Sequence, residues 1–332
     1  MTDWRPSASI ETLRKRAAFF TSIRKFFADC GVLEVDTPCL SANTITDVHL
    51  EAMVIANGAD IDDENVANAC LSPLYLQTSP EYYMKRLLAA GSGDIYQLGK
   101  CFRHDELGRI HSPEFTMLEW YRVNFTMDDL INEVSALVQA LIGLDTETAT
   151  YQQLFEQQLG INPHEATTGS LLALSKTKGF GEYADRCLRD YGEHQGGIDA
   201  LLQLLFSTCI EPDIGLEKPI IVSHFPASQA ALAKLADDER SALRFELYFQ
   251  GVELANGYEE LINTEQLVQR FNEDNALRKR IGKVPKPIDN EFIAAMRSGL
   301  PACSGVALGV DRLFMLVERK HDIASVMPFQ LG

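Results

Sequence analysis

Two pairs of strand-like segments constrain this chain more than any other feature. Residues 94–103 (DIYQLGKCFR) and 115–125 (FTMLEWYRVNF) are joined by the polar loop His104–Glu114, and residues 244–249 and 252–257 flank Gln250-Gly251. Hairpins like these, set between long helical stretches, predict an α+β fold built on an antiparallel sheet flanked by helices. Around them, residues 9–29 repeat Ile10, Leu13, Ala17, Phe20, Ile23 and Phe27 at helical steps, with Ser9 placed to cap and Gly31 to end the run. Val32–Val35 reads as a short strand stopped by Asp36-Thr37-Pro38, residues 55–73 as a loop, and Pro80 as the opening of a second helix. Helices are expected near 127–143, 264–281, 290–298 and 311–318, and a last strand at 303–310. Residues 145–240 read as mostly helical, with loops near 161–168 and 189–197. No internal repeat or linker interrupts the chain, so one domain over 1–332 is the simplest account.

Charge and cysteine usage narrow the classes of partner. Thirty basic residues against 47 acidic ones give a formal charge of −17, the opposite of the balance that grips a nucleic-acid backbone, although a local basic patch fits within a negative total. Seven scattered cysteines without a C-x-x-C pair fit reduced cytoplasmic thiols better than a disulfide framework or a zinc site. The first residues lack the apolar stretch of a signal peptide, and no window approaches a membrane span.

Three segments carry candidate chemistry. With a period of two, Phe115, Met117, Glu119 and Tyr121 share one face of their strand, next to a loop holding Arg103, Arg109 and His111. Taken alone, a half-buried strand with satisfied polar groups explains that pattern equally well. If Gln250-Gly251 is a two-residue turn, residue 249 faces 252 and 248 faces 253, so Glu246 becomes the diagonal neighbour of Glu253. Two carboxylates aimed at one region repel each other unless a cation joins them, and Mg²⁺ takes carboxylates together with substrate phosphates. Two solvated glutamates are the plain alternative, and the nearby Asn256 and Glu260 weigh against it. Finally, in Gly305-Val-Ala-Leu-Gly309-Val-Asp311-Arg312 the glycines permit close approach, and Arg312 opens a helix where its guanidinium can stack on a base or pair with phosphate.

Together these segments resemble the three signature motifs of class II aminoacyl-tRNA synthetases, and within them the lysine branch. Residues 9–38 resemble motif 1, CFRHDELGRIHSPEFTMLEWY (101–121) motif 2, and GVALGVDR (305–312) motif 3. TSPEYYMKRLL (78–88) and FELYFQGVELANGYEEL (245–261) resemble the lysine-type pocket segments. The resemblance implies a homodimer and an enzyme that uses ATP and Mg²⁺ to form an aminoacyl-adenylate. It implies that Arg103 holds the α-phosphate and the substrate carboxylate, that Arg109 and His111 contact the outer phosphates, and that Phe115 and Arg312 sandwich the adenine. Glu246 and Glu253 would bind Mg²⁺, Glu81 the substrate amine, and Tyr121, Asn256 and Glu260 a side-chain ammonium. Asp105, which would bind ATP by reaching the adenine amine, stands where motif 2 has a glutamate, and Ala307 where motif 3 commonly has a glycine.

Motif 1 begins near residue 9, which leaves no room for the anticodon-binding barrel that precedes it in a full lysine synthetase. With the acidic charge, this points away from transfer RNA. It resembles the stand-alone paralogues of the lysine branch, in which lysine or (R)-β-lysine goes to the ε-amine of a lysine on translation elongation factor P. Ala255, where the synthetases have glycine, is expected to reshape the pocket by one carbon, although a neutral packing change accounts for it too. A compact lysine-type aminoacyl-tRNA synthetase, or another amino-acid adenylating enzyme on the same core, is the alternative. A non-catalytic subunit would have lost motifs that are present here.

Overall fold

The computed structural model describes residues 4–55, 73–104 and 107–330, so Asp105 and most of the expected loop at 55–73 lie outside the described residues. Its centre is a sheet of eight strands. β1 (Leu33–Glu34) pairs in parallel with β5 (Ile95–Phe102), which pairs with β6 (Glu114–Val123); two short strands, β2 (Leu40–Ser41) and β3 (Val54–Ile55), flank β4 (Leu74–Leu76) in a separate small sheet. The large sheet continues from β6 through β11 (Cys303–Gly309), β10 (Val252–Glu259) and β9 (Arg244–Phe249) to β8 (Ile220–Ser223) and β7 (Glu147–Thr150). Its middle is antiparallel as expected, and only the two outer pairings, β1 with β5 and β7 with β8, are parallel.

The expected helices appear as α1 (Ile10–Asp29), α2 (Glu81–Ala89), α3 (Met127–Ile142), α8 (Thr264–Arg280), α9 (Asn290–Gly299) and α10 (Val310–Val317). Ser9 caps α1 by accepting from the Thr12 amide, and Pro80 sits just ahead of α2. The stretch 145–240 departs from the mostly helical reading. Four helices are there, α4 (Tyr151–Leu159), α5 (Thr168–Thr177), α6 (Gly181–Tyr191) and α7 (Gln195–Leu205), but β7 and β8 complete the sheet's far edge. These two strands span four residues each, too few to reveal a period beside helices of ten.

Helices α1, α3 and α10 cover one face of the sheet. Phe19, Ile23 and Phe27 of α1, Leu130 and Val134 of α3, and Leu313 and Phe314 of α10 pack on Leu118, Trp120, Val306, Leu308, Phe245 and Leu247. Each such side chain contributes about 1.5–3 kcal/mol by leaving water. On the opposite face, α2, α8 and α9 cover only one end, through Met84, Leu88, Phe271 and Phe292 against Ile95, Tyr121 and Cys303.

A buried ion pair fixes the helix-covered side. The Arg16 guanidinium of α1 pairs with Asp311 at the start of α10, and Asp311 also accepts from the Thr116 amide of β6 at 2.6 Å. Arg16 donates to the Thr116 hydroxyl at 3.1 Å as well. Asp311→Ala leaves Arg16 buried without its counter-charge and is expected to cost about 3–5 kcal/mol, read as a lower urea midpoint.

Candidate active site

Alternation along the strands gathers the chemistry on the face that α1, α3 and α10 leave open. Register aligns Gln97 of β5, Glu119 of β6, Ala307 of β11, Asn256 of β10 and Glu246 of β9 in one row across the sheet. One step along lies a second row of Tyr121, Gly305, Tyr258 and Arg244.

The hairpin between β9 and β10 has the expected turn, with positive φ at both Gln250 (51°) and Gly251 (68°), which suits a type I′ geometry. Phe249 faces Val252 and Tyr248 faces Glu253, also as expected. Beyond that point the register shifts between Glu253 and Ala255. This bulge places Glu246 opposite Asn256, so Glu253 and Asn256 share the open face although three positions separate them. Leu254 and Ala255 are then both buried in the helix-covered core, beside Leu247 and Leu308. Ala255 therefore does not line the site, contrary to the sequence expectation, and its methyl packs the core. The methyl that does stand in the row of polar side chains is that of Ala307, between Glu119 and Asn256.

At one end of this face four charged groups converge. The buried Lys85 ammonium lies 2.6 Å from a Glu81 oxygen and 2.5 Å from a Glu260 oxygen, where the side chains are 2%, 13% and 0% exposed. Glu119 accepts from the Ser79 hydroxyl and the Tyr121 phenol, each at 2.7 Å. Burial, with the nearby charge of Glu81, pushes the Glu119 carboxyl up to about 7. Glu260 is pushed up to about 8 by burial, against the pull of Lys85. A Cβ on Gly305 would lie 2.3 Å from the Tyr121 ring and 2.8 Å from a Glu260 oxygen. Only glycine lets both side chains approach the strand so closely.

At the other end, Arg244 organises the acids. Its guanidinium pairs with Glu246 and donates to the side-chain amide oxygen of Asn256 at 3.1 Å, and the other Glu246 oxygen accepts from the Tyr248 phenol. Half-buried Glu253 is pushed up to about 7, chiefly by burial and then by the charge of Glu246. Burial and Glu246 also push Glu211 up to about 7. The two predicted metal-binding carboxylates are thus near enough to repel.

The remaining predicted residues surround this floor. Arg103 lies over the Phe115 ring, 5.1 Å from its centroid. Arg312 donates to the carbonyls of Ile110 and Glu253, at 3.2 Å each. That ties the start of α10 to the motif 2 loop and to β10. Exposed Arg109 donates to the His321 carbonyl at 2.9 Å, and His111 is half-buried in a bridge with Gly108. Sequence reasoning gave no role to Lys85, Arg244 or Ser79, and named Glu119 only as a carboxylate on the strand's face. Signals for two of them were present: Lys85 follows Glu81 by one helical turn, and Arg244 precedes Glu246 by two strand residues.

This fold and this arrangement define a class II synthetase core. The family model for class II tRNA synthetases (D, K and N) matches residues 1–331, and the chain belongs to that family. Within it the chain is 48% identical to the elongation factor P–(R)-β-lysine ligase of Proteus mirabilis, over 99% of this chain and 98% of that one. It is 49% identical to the ligase of the same name from Erwinia tasmaniensis (98% and 97%) and 48% identical to that of Yersinia pestis (99% and 98%). Among the described residues, no helix is long and apolar enough to cross a membrane.

The raised carboxyls make stability depend on pH. Unfolded glutamates titrate near ~4.3, below Glu119 at about 7 and Glu260 at about 8. The folded chain holds these protons more tightly. Their contribution is therefore full at acid pH and is lost as pH rises through 7 to 8. Urea midpoints of the free protein are expected to be higher at pH 6 than at pH 8.5, and a cationic ligand is expected to narrow the gap.

Proposed function

We propose that this chain activates (R)-β-lysine, or lysine, with ATP as the aminoacyl-adenylate and transfers the acyl group to the ε-amine of a lysine on elongation factor P. The observation that carries the proposal is the convergence of Glu81, Glu119 and Glu260 at one end of the open face. Buried acids of this kind select a substrate rich in ammonium groups, because an uncharged analogue leaves them unpaired. The relatives that are 48–49% identical over nearly full length carry the name of an elongation factor P ligase, which supports the acceptor.

In this reading Glu81 receives the backbone amine, and Glu260 with Tyr121 receives the distal ammonium. Asn256, whose side-chain amide oxygen accepts from Arg244, offers its NH₂ to a substrate oxygen and not to an ammonium. This revises the role that the motif alone implies. Arg103 neutralises the substrate carboxylate and the α-phosphate as the carboxylate attacks in line and pyrophosphate leaves. Phe115 and Arg312 hold the base, and Arg109 and His111 the outer phosphates. Glu246 and Glu253 would hold Mg²⁺, since a hard divalent ion would relieve their mutual repulsion. There it would supply charge neutralisation for the leaving pyrophosphate. The acceptor amine then attacks the acyl carbon; an amide forms, AMP departs and a proton is released. The chain would work as one catalytic unit, paired as a homodimer through the α1 and β1 region, where Ile10 and Leu33 are exposed.

Incubation with ATP and labelled lysine or β-lysine, offering elongation factor P and transfer RNA together, is expected to label the protein. Label on RNA alone would select the compact synthetase instead. Glu253→Gln is expected to abolish ATP–pyrophosphate exchange, and near-normal exchange would remove the metal role. A separate variant, Ala307→Gly, opens the pocket floor by one methyl. It is expected to shift the ratio of exchange rates between β-lysine and lysine by roughly tenfold or more.

A further inference from the structure

The motifs assign no role to Lys85, yet it is the most deeply buried ammonium of the site and bridges two carboxylates meant for the substrate. Its Nζ touches Glu81 and Glu260 at 2.6 and 2.5 Å, and lies 6.0 and 5.8 Å from the ring centroids of Tyr121 and Tyr258. Around it stand Glu81 from its own helix, Glu119 and Tyr121 from β6, Tyr258 and Glu260 from the β10 segment, and Cys303 from β11. From α8 and α9 the same cluster receives apolar side chains, Phe271 and Phe292 among them. Among the described residues, these three carboxylates therefore share the one ammonium of Lys85.

We infer that Lys85 is a fixed internal counter-cation that sets the pocket's charge to match a substrate with two ammonium groups. The inference rests on the substrate reading proposed above. With Glu81, Glu119 and Glu260 ionised, the one ammonium of Lys85 leaves two negative charges unbalanced. A diamino acid brings two positive charges to this end, while its carboxylate is left to Arg103. Neutral-side-chain amino acids bring one and leave a buried carboxylate uncompensated. Without Lys85, a third negative charge must be covered by a proton, which competes with the incoming ammonium. Lys85 also spans α2 and the end of β10, so it holds Glu81 and Glu260 at a fixed separation before substrate arrives. It is a positioning residue, acting through the two carboxylates.

Burial already raises Glu119 and Glu260 in the empty pocket, and a binding dication must displace those protons. Loss of the neighbouring cation raises their proton affinity further, so binding then requires higher pH.

The test is ATP–pyrophosphate exchange by the full chain with lysine and β-lysine from pH 6 to 9. Lys85→Met is close in length but uncharged. It is expected to raise KM for the diamino acid by about tenfold or more at pH 7, and to move the acid limb of its pH profile up by about one unit. KM for ATP should change less than about twofold, on the same scale. Lys85→Met/Glu81→Gln restores the pocket's net charge, and its acid limb is expected to return to the wild-type position even though KM stays high. A raised KM with an unmoved limb means that Lys85 only packs the site, and the inference fails. An unchanged KM in Lys85→Met overturns it outright. If Lys85→Met does not fold, the double variant decides: a wild-type limb supports the charge match and a shifted one refutes it. Failure of the wild-type chain to exchange with any diamino acid would instead sink the substrate reading.

Discussion

Carboxylates that leave water together are the constraint around which this molecule is built. Glu119, Glu246 and Glu260 are each no more than 6% exposed, and all lie on the open face of one sheet. A buried carboxylate without a partner is driven to take up a proton, and several side by side reinforce that tendency. The fold answers with partners placed at both ends of the row. Lys85, Ser79 and Tyr121 serve one end, and Arg244 and Tyr248 the other. What these partners leave uncovered is negative charge, which suits the ammonium proposed at one end and the divalent ion proposed at the other.

Such a face needs a rigid support, and the opposite side of the sheet supplies it. The apolar layer under α1, α3 and α10 fixes the strands from below, while the Arg16–Asp311 pair locks two of those helices to β6. Asp311 precedes Arg312 in sequence, so the residue that anchors α10 to the core also sets where the next guanidinium emerges. Arg312 is then held by carbonyls of Ile110 and Glu253. Stability and site geometry thus share one short segment. The close approach of Tyr121 and Glu260 to Gly305 works the same way: a missing side chain on the strand makes room for two others.

Much of this was legible in sequence because a strand's period of two is a strict rule. It placed Phe115, Glu119 and Tyr121 on one face, and the Gln250-Gly251 turn fixed the register at Glu253. Family resemblance supplied the expected roles, and the helices followed from caps and spacing. What was not legible depends on exceptions to the rule or on distance in the chain. The bulge after Glu253 leaves no mark in composition, yet it reverses parity from there on and sends Ala255 into the core. Strands β7 and β8 are too short for periodicity to show and form only because β9 offers an edge. The pairing of Lys85 with Glu260 joins residues 175 positions apart, whereas its partnership with Glu81 is an ordinary helical step.

The parity reversal also decides which alanine can matter to the substrate. Both Ala255 and Ala307 stand where related synthetases are expected to have glycine, and the sequence reading gave the pocket to Ala255. Direction separates them: Ala255 meets Leu247 and Leu308 in the apolar layer, and Ala307 lies between Glu119 and Asn256 in the polar row. A methyl in the first position changes packing, where a neighbour can shift to absorb it. In the second it occupies space at the floor of the site, between a carboxylate and an amide held by hydrogen bonds to Ser79, Tyr121 and Arg244. A substrate whose amine is displaced by one carbon would then fit against a wall held by these hydrogen bonds, which is where one methyl can discriminate.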